Sequence, residues 1–219
     1  MRAGVFIVIE GLDGSGTTTQ TAMLKDWFEG EGAVYGKCVA TCEPTQGPAG
    51  SMARLALNHR LTLDSAAMAL LFAADRADHV YKEDDGRQEP GVFHLLGRGQ
   101  HVLSDRYLLS SLAYQSLDLP MEWVLEINAR AIVPDLTVYI DIDPQVSRRR
   151  MQANRSHEDL FEGADTQARV RGQYEKAIAL LRGRGHDIRR VAGDRPAAEV
   201  FQAIIVELLP LLRRRQEDR

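Results

Sequence analysis

Residues 5–20 read VFIVIEGLDGSGTTTQ, and the fold follows from how that stretch is read. A run of β-branched and aromatic residues, Val5 to Ile9, ends in Glu10. An apolar run without polar alternation predicts a strand buried on both faces. Gly11, Leu12, Asp13, Gly14, Ser15 and Gly16 form a glycine-rich turn, and Thr17, Thr18, Thr19 and Gln20 open a helix. Glycines let the backbone curl around phosphate oxygens, with successive N–H groups pointing inward as an anion nest. The helix start behind them adds partial positive charge. The pattern for such a loop is G-x-x-x-x-G-K-[ST]. Gly11 and Gly16 have its spacing and Thr18 its hydroxyl, but Thr17 stands where the lysine belongs. A tight strand-to-helix turn would use the same glycines. The apolar strand directly before and the helix-forming TAMLKDWFE directly after favour a nucleotide phosphate.

The chain has 219 residues, which suits one sizeable domain or a domain with a mobile lid, and its 44% apolar content is enough for a substantial core. A net charge of −4 gives no general attraction to nucleic acid, and no basic stripe interleaves with aromatics. Any anionic ligand must therefore be held by local positive groups. Arginine makes up 23 of the 27 basic residues, the lysines being Lys25, Lys37, Lys82 and Lys176. Arginine keeps its charge and grips phosphate with two parallel hydrogen bonds. Cys38 and Cys42 lie four apart on one predicted strand, on the same side but too far apart to bond. Reduced thiols and a cytoplasmic location are expected. No apolar stretch approaches membrane-spanning length, and the N-terminus runs straight into the first strand.

Strands are predicted at residues 5–10, 35–41, 101–104, 136–142 and 188–191. Helices are predicted at 18–29, 51–58, 92–96, 110–117, 120–131, 167–181 and 196–212, with a long one from a cap at Asp64 or Ser65 through Tyr81. Its apolar stripe would be Ala66, Ala69, Leu70, Ala73 and Ala77. Residues 82–91 read as an exposed loop, 144–164 as polar and arginine-rich, and 213–219 as a solvated charged tail. Apolar strands alternating with helices predict an α/β fold with a central parallel sheet of about five strands, covered on both faces. Ligands bind at the carboxyl ends of such strands, where Glu43, Asp105-Arg106 and Asp143 all fall. Acids and bases gathered around one phosphate loop predict phosphoryl transfer, which needs a phosphate cradle, Mg²⁺ and basic groups. Thr18 is read as a direct Mg²⁺ ligand, Asp105 as the acid that holds it through water, and Arg106 as a bridge between donor and acceptor phosphates. A surface ion pair would also account for Asp105-Arg106.

EGLDGSGTTTQ, CEPTQGPAG, LLFAADRADH and SDRYLLSSLAYQ, in that order and spacing, resemble the thymidylate kinase family over about residues 5–205. The last two motifs are much more specific than the loop. The resemblance implies a three-layer P-loop NTPase fold, one kinase domain over residues 1–219 with a lid at about 148–163. It implies transfer of the γ-phosphoryl group of ATP to dTMP with Mg²⁺, giving dTDP and ADP. Residues 11–19 would hold ATP, with Gly193-Asp194 beside the adenine. Phe72 would stack on thymine, Arg76 would reach the base, Ser111 and Gln115 would lie along it, and Tyr114 would sit near the sugar. Asp13 would position sugar and acceptor phosphate, Arg54 and Arg106 would bind the dTMP phosphate, and Glu43 would lie near that phosphate and the metal. Arg150 and Arg155 match basic lid positions and Glu162 a recurrent lid acid. Family members are usually homodimers; nucleic-acid and membrane partners are not expected.

Two departures stand out. Thr17 replaces the phosphate-neutralising lysine, and Cys42 replaces an arginine common before Glu-Pro. Losing one well-placed cation in a dry site costs on the order of several kcal/mol of transition-state stabilisation. The expectation is that Arg150 or Arg155 acts as an arginine finger in cis. The alternatives are a nucleotide-binding protein without turnover and a kinase for another nucleotide such as dUMP. Retention of Thr18, Glu43, Arg76, Asp105 and Arg106 argues for an active enzyme.

Overall fold

The computed structural model describes residues 4–83, 86, 90–154 and 164–217. Its axis is β1 (Phe6–Gly11), which pairs with β3 (His101–Asp105) on one side and β4 (Leu136–Asp141) on the other. With β2 (Cys38–Cys42) and β5 (Ile188–Ala192) the order is β2-β3-β1-β4-β5, all parallel. From β1 the chain goes out to the edge, returns as β3, and then crosses to the far side of β1 as β4. Connections therefore diverge at the carboxyl end of β1, the switch point where parallel sheets open a crevice. The register sets Asp105 opposite both Ile9 and Cys42. It lines up the glycine turn, Glu43 and Asp105-Arg106 along one edge.

The period of two along β1 divides the core. Phe6 and Val8 pack with Leu112, Tyr139 and Tyr174, whereas Ile7 and Ile9 pack with Leu24, Phe28, Ile204 and Leu208. The second face is covered by α1 (Thr17–Glu29) and α9 (Ala197–Glu217). The first is covered by α4 (Val92–Gly97), α5 (Leu108–Gln115), α6 (Met121–Ile127) and α8 (Ala164–Gly183). Each large side chain buried this way contributes about 2 kcal/mol. These are the three layers and the five-stranded parallel sheet that the alternating apolar runs predict. Strand β5 departs from the pattern: Arg189 and Arg190 are exposed because an edge strand has one partner.

Several local readings are corrected. Strand β2 begins at Cys38, because residues Glu31–Tyr35 form a 3-10 turn in which Tyr35 stacks on Trp27 of α1 at 5.8 Å. Helix α2 (Pro48–Leu57) starts earlier than expected, with proline at its first position, where a missing N–H is harmless. On α3 (Ser65–Tyr81) the expected stripe is wrong in one direction: Leu70 is 49% exposed, while Asp75 and Arg76 are buried. The inner face of α3 carries a polar network rather than apolar side chains alone. Cys38 and Cys42 are free thiols, and burial pushes the Cys38 thiol up to about 12. Among the described residues no helix is long and apolar enough to cross a membrane.

The charged tail is helical as far as it is described, since α9 continues through Pro210 to Glu217, and Arg213, Arg214, Gln216 and Glu217 are exposed as expected. Arg215 Nη2 donates to Asp135 Oδ1 at 2.7 Å, and Asp135 Oδ2 accepts the Phe6 N–H at 2.8 Å. One carboxylate thus fastens the end of the chain to the start of β1. Asp135→Ala is expected to cost about 2 kcal/mol, because the β1 N–H loses its acceptor. Arg215→Ala should cost less than half of that. Urea midpoints check both, and an unshifted midpoint for Asp135→Ala would refute the fastening role.

Candidate active site

In the loop after β1, Gly14 (φ 76°) and Gly16 (φ 97°) hold left-handed backbone. A Cβ on Gly14 would stand 2.8 Å from the carbonyl oxygen of Ser147. Leu12 is fully buried, so its side chain anchors the loop and only its backbone faces a ligand. Ser15 N–H donates to Leu12 O at 3.0 Å, and the first helical bond runs from Gln20 N–H to Gly16 O at 2.9 Å. The N–H groups of Thr17, Thr18 and Thr19 precede that bond and can meet phosphate oxygens. Thr17 is buried and brings no charge. The helix α7 (Pro144–Asn154) is hooked to the loop by Ser147 Oγ–H, which donates to Asp13 O.

Thr18 Oγ1 donates to Asp105 Oδ2 at 2.6 Å. The other oxygen, Asp105 Oδ1, is buried with no hydrogen-bond partner among the described residues. A buried carboxylate oxygen without a donor suits a cation or its bound water. Mg²⁺ takes few protein ligands and keeps waters and substrate phosphates. The pair expected from the sequence therefore fits Mg²⁺.

Arg106 is fixed through both backbone and side chain. Its φ of 73° is left-handed, unusual for a non-glycine residue, and is held by Arg106 N–H to Ile9 O at 2.9 Å and Ser104 Oγ–H to Arg106 O at 2.7 Å. Its Nη1 donates to Gly11 O and, at 3.0 Å, to Tyr174 Oη; its Nη2 donates to Asp13 Oδ1 at 2.8 Å. Burial opposes its charge, but Tyr174, Tyr114 and Asp13 outweigh that and hold its pKa above the ordinary value. Asp13 in turn accepts from Gln167 Nε2 at 3.3 Å, and its N–H donates to Tyr114 Oη at 3.2 Å.

Glu10 has a part that the sequence reading missed, having taken it as the end of a strand. It is fully buried beneath Arg106. Its Oε1 accepts the N–H groups of Tyr107 (2.9 Å) and Ser110 (3.1 Å) at the start of α5, and its Oε2 accepts Ser110 Oγ–H. Burial pushes its pKa up to about 7, against the downward pull of Arg106 and of the Ser110 and Tyr107 donors. A folded pKa above the usual 4.5 means that the native state holds more protons than the unfolded chain between those values. Its contribution to stability is therefore present below pH 4.5 and is lost as pH rises to 7. The stability difference between wild type and Glu10→Gln should fall by about 3 kcal/mol over that range. Urea unfolding across the range checks it, and a flat difference would sink the assignment.

One cleft lies between α3 and α5. Phe72, Arg76, Ser111, Tyr114 and Gln115 line it together, as expected, and Asp13 and Arg106 close one end. Arg76 Nη1 donates to Asn128 Oδ1, and its Nη2 donates to Glu43 Oε2 at 2.6 Å and Ser111 Oγ at 2.9 Å. Glu43 Oε1 lies 2.9 Å from His79 Nδ1, whose Nε2 is 2.9 Å from Thr41 Oγ1. Glu43 thus orients Arg76 from the side of β2. Asn128 also orients it, yet nothing local marks that residue, an ordinary helix end 52 positions from Arg76. Gln115 Oε1 is buried without a partner among the described residues, an acceptor left for a ligand. Arg54 donates to Pro44 O at 2.6 Å and to Thr45 O, bracing the turn that holds the cis Glu43–Pro44 peptide.

A second cleft surrounds the glycine loop. Thr17, Thr18, Asp105 and Arg106 line it, with Arg150 of α7 and Gly193 and Arg195 of the β5–α9 loop on the far wall. Asp194, expected beside adenine, is exposed. Arg150 Nη2 reaches Arg195 O at 3.5 Å. Arg155 and Glu162 lie outside the described residues.

The family model for thymidylate kinase matches residues 9–204. The chain is similar to a probable thymidylate kinase of Pyrococcus abyssi, 36% identical over 92% of this chain and 94% of the relative. It is 38% identical to a probable thymidylate kinase of Thermococcus gammatolerans over the same shares. A putative thymidylate kinase of Aeropyrum pernix is 38% identical over 88% of each chain. With the glycine loop, the Thr18–Asp105 pair and the cleft between α3 and α5 arranged around one fixed arginine, and with these matches, the chain belongs to the thymidylate kinase family.

Proposed function

We propose that this protein transfers the γ-phosphoryl group of ATP to dTMP, giving dTDP and ADP. One observation carries the reading: Arg106 lines both the cleft between α3 and α5 and the glycine-loop cleft, at the place where the two meet. A group there contacts the acceptor phosphate from one side and the donor from the other. The acceptor oxygen is already anionic, so no strong general base is needed, and catalysis is positioning and charge stabilisation. Bound Mg²⁺, held by Thr18 and Asp105, would supply neutralisation of phosphate charge. The loop N–H groups cradle the donor phosphates, Phe72 and the Arg76 network hold the base, and Asp13 keeps Arg106 aimed.

The test is ADP release from MgATP with dTMP, set against dUMP, dCMP, dGMP, thymidine and no acceptor. Turnover with dTMP well above the others supports the reading, and preference for dUMP would replace it. The same assay beside calorimetric binding would identify the other outcome, nucleotide binding without turnover. We further propose one kinase domain in the cytoplasm, acting as a homodimer. The apolar Met52 and Leu55 of α2 and Leu70 of α3, left exposed, support a face covered by a second copy. Sedimentation over a dilution series tests it.

A further inference from the structure

We infer that Arg195 supplies the positive charge that Thr17 withholds from the donor phosphates. The inference rests on the kinase reading only in taking the anion to be ATP. Four arginines line the glycine-loop cleft: Arg54, Arg106, Arg150 and Arg195. Two are engaged elsewhere. Arg54 donates to Pro44 O and Thr45 O, and Arg106 donates to Gly11 O, Tyr174 Oη and Asp13. Turning Arg54 toward a nucleotide gives up those bonds, and Arg106, fixed where the clefts meet, already serves as the bridge between donor and acceptor. Arg150, one of the two residues expected from the sequence (Arg155 lies outside the described residues), extends its guanidinium to the Arg195 carbonyl. The Arg195 side chain is exposed and has no hydrogen-bond or ion-pair partner among the described residues.

Its place follows from α1. Gln20 lies three residues after Thr17, one helical turn on and so on the same face. Gln20 Nε2 donates to Ala197 O at 2.9 Å, which binds the β5–α9 loop to that face. Arg195 comes two residues before Ala197 and lines the same cleft as Thr17. Pro196 follows it and restricts its backbone to extended conformations, so the side chain starts from a fixed point. Its planar fork suits phosphate oxygens.

The experiment is calorimetric binding of adenosine, AMP, ADP and ATP, with Mg²⁺, to wild type, Arg195→Ala, Arg150→Ala, Thr17→Lys and the double variant Thr17→Lys, Arg195→Ala. Arg195→Ala is expected to weaken ATP about thirtyfold, with the loss growing from AMP to ATP and adenosine unchanged. The added lysine in the double variant should restore most of the ATP affinity. ATP affinity within about threefold of wild type in Arg195→Ala would overturn the inference. Equal losses for adenosine and ATP, or a phosphate-dependent loss in Arg150→Ala alone, would do the same. Because binding is read without an acceptor, these outcomes do not depend on dTMP. A protein that binds ATP through Arg195 but fails to phosphorylate dTMP refutes the kinase reading and leaves this one standing.

Discussion

Arg106→Ala is expected to lower kcat/KM for dTMP by about a thousandfold, the scale of losing a positioned arginine in phosphoryl transfer. The size follows from how the side chain is held. Three acceptors on three different elements, Gly11 of β1, Asp13 of the loop and Tyr174 of α8, fix one guanidinium where the clefts meet. The fold also keeps a left-handed backbone at this residue, a strain of about 1 kcal/mol that a surface ion pair would not require. The variant should still fold, because Asp13 is 32% exposed and water can replace its lost partner. Arg106→Lys separates charge from shape. A single ammonium cannot reach all three acceptors, so about a tenfold to hundredfold loss is expected with charge retained. Full activity in either variant would remove Arg106 from the mechanism.

Asp105→Asn should move activity and stability in opposite directions. Turnover is expected to fall about a hundredfold or more at fixed Mg²⁺, because the carboxylate charge that holds the cation is gone. Part of the loss should return as Mg²⁺ is raised. The nucleotide-free protein should be as stable as wild type, or more stable by about 1 kcal/mol, since a buried oxygen with no donor is replaced by a neutral amide. Thr18→Ala should show the same Mg²⁺ dependence with a smaller loss. Kinetics over a Mg²⁺ series, paired with thermal unfolding, read both signs. A stability loss that tracks the activity loss would make Asp105 a structural residue and remove the cation site.

The two variants mark where the sequence was informative. Thr18, Asp105 and Arg106 could be picked out because each lies at the end of an apolar strand or the start of a helix, where chain direction alone puts polar groups on one edge. Phe72, Arg76, Ser111, Tyr114 and Gln115 came from the motifs and share one cleft. What holds each in place there was not legible. Arg76 is set by Asn128 and Glu43, 52 and 33 positions away, and Glu10 meets Ser110 across 100. The turn to the inner face of Asp75 and Arg76, where an apolar stripe was expected, has the same origin: their partners are on other elements. Near the end of α9, Arg215 meets Asp135 80 positions away, and the composition of the tail gives no sign of it.

By itself the sequence determined the class of fold, the place of the phosphate loop and the family, because strand periodicity, glycine spacing and motif order are local or linear properties. Only the tertiary structure decided which arginines are committed and which one is open. Arg54, Arg106, Arg150 and Arg195 are chemically alike in the sequence; Arg54 and Arg106 are set apart by the acceptors they meet, Arg150 by its reach to the Arg195 carbonyl, and Arg195 by a side chain without a partner among the described residues. The missing lysine was visible in one line of residues. Its replacement depended on where β5 ends and how Gln20 holds the loop that follows, which only the packing of α9 against α1 fixes.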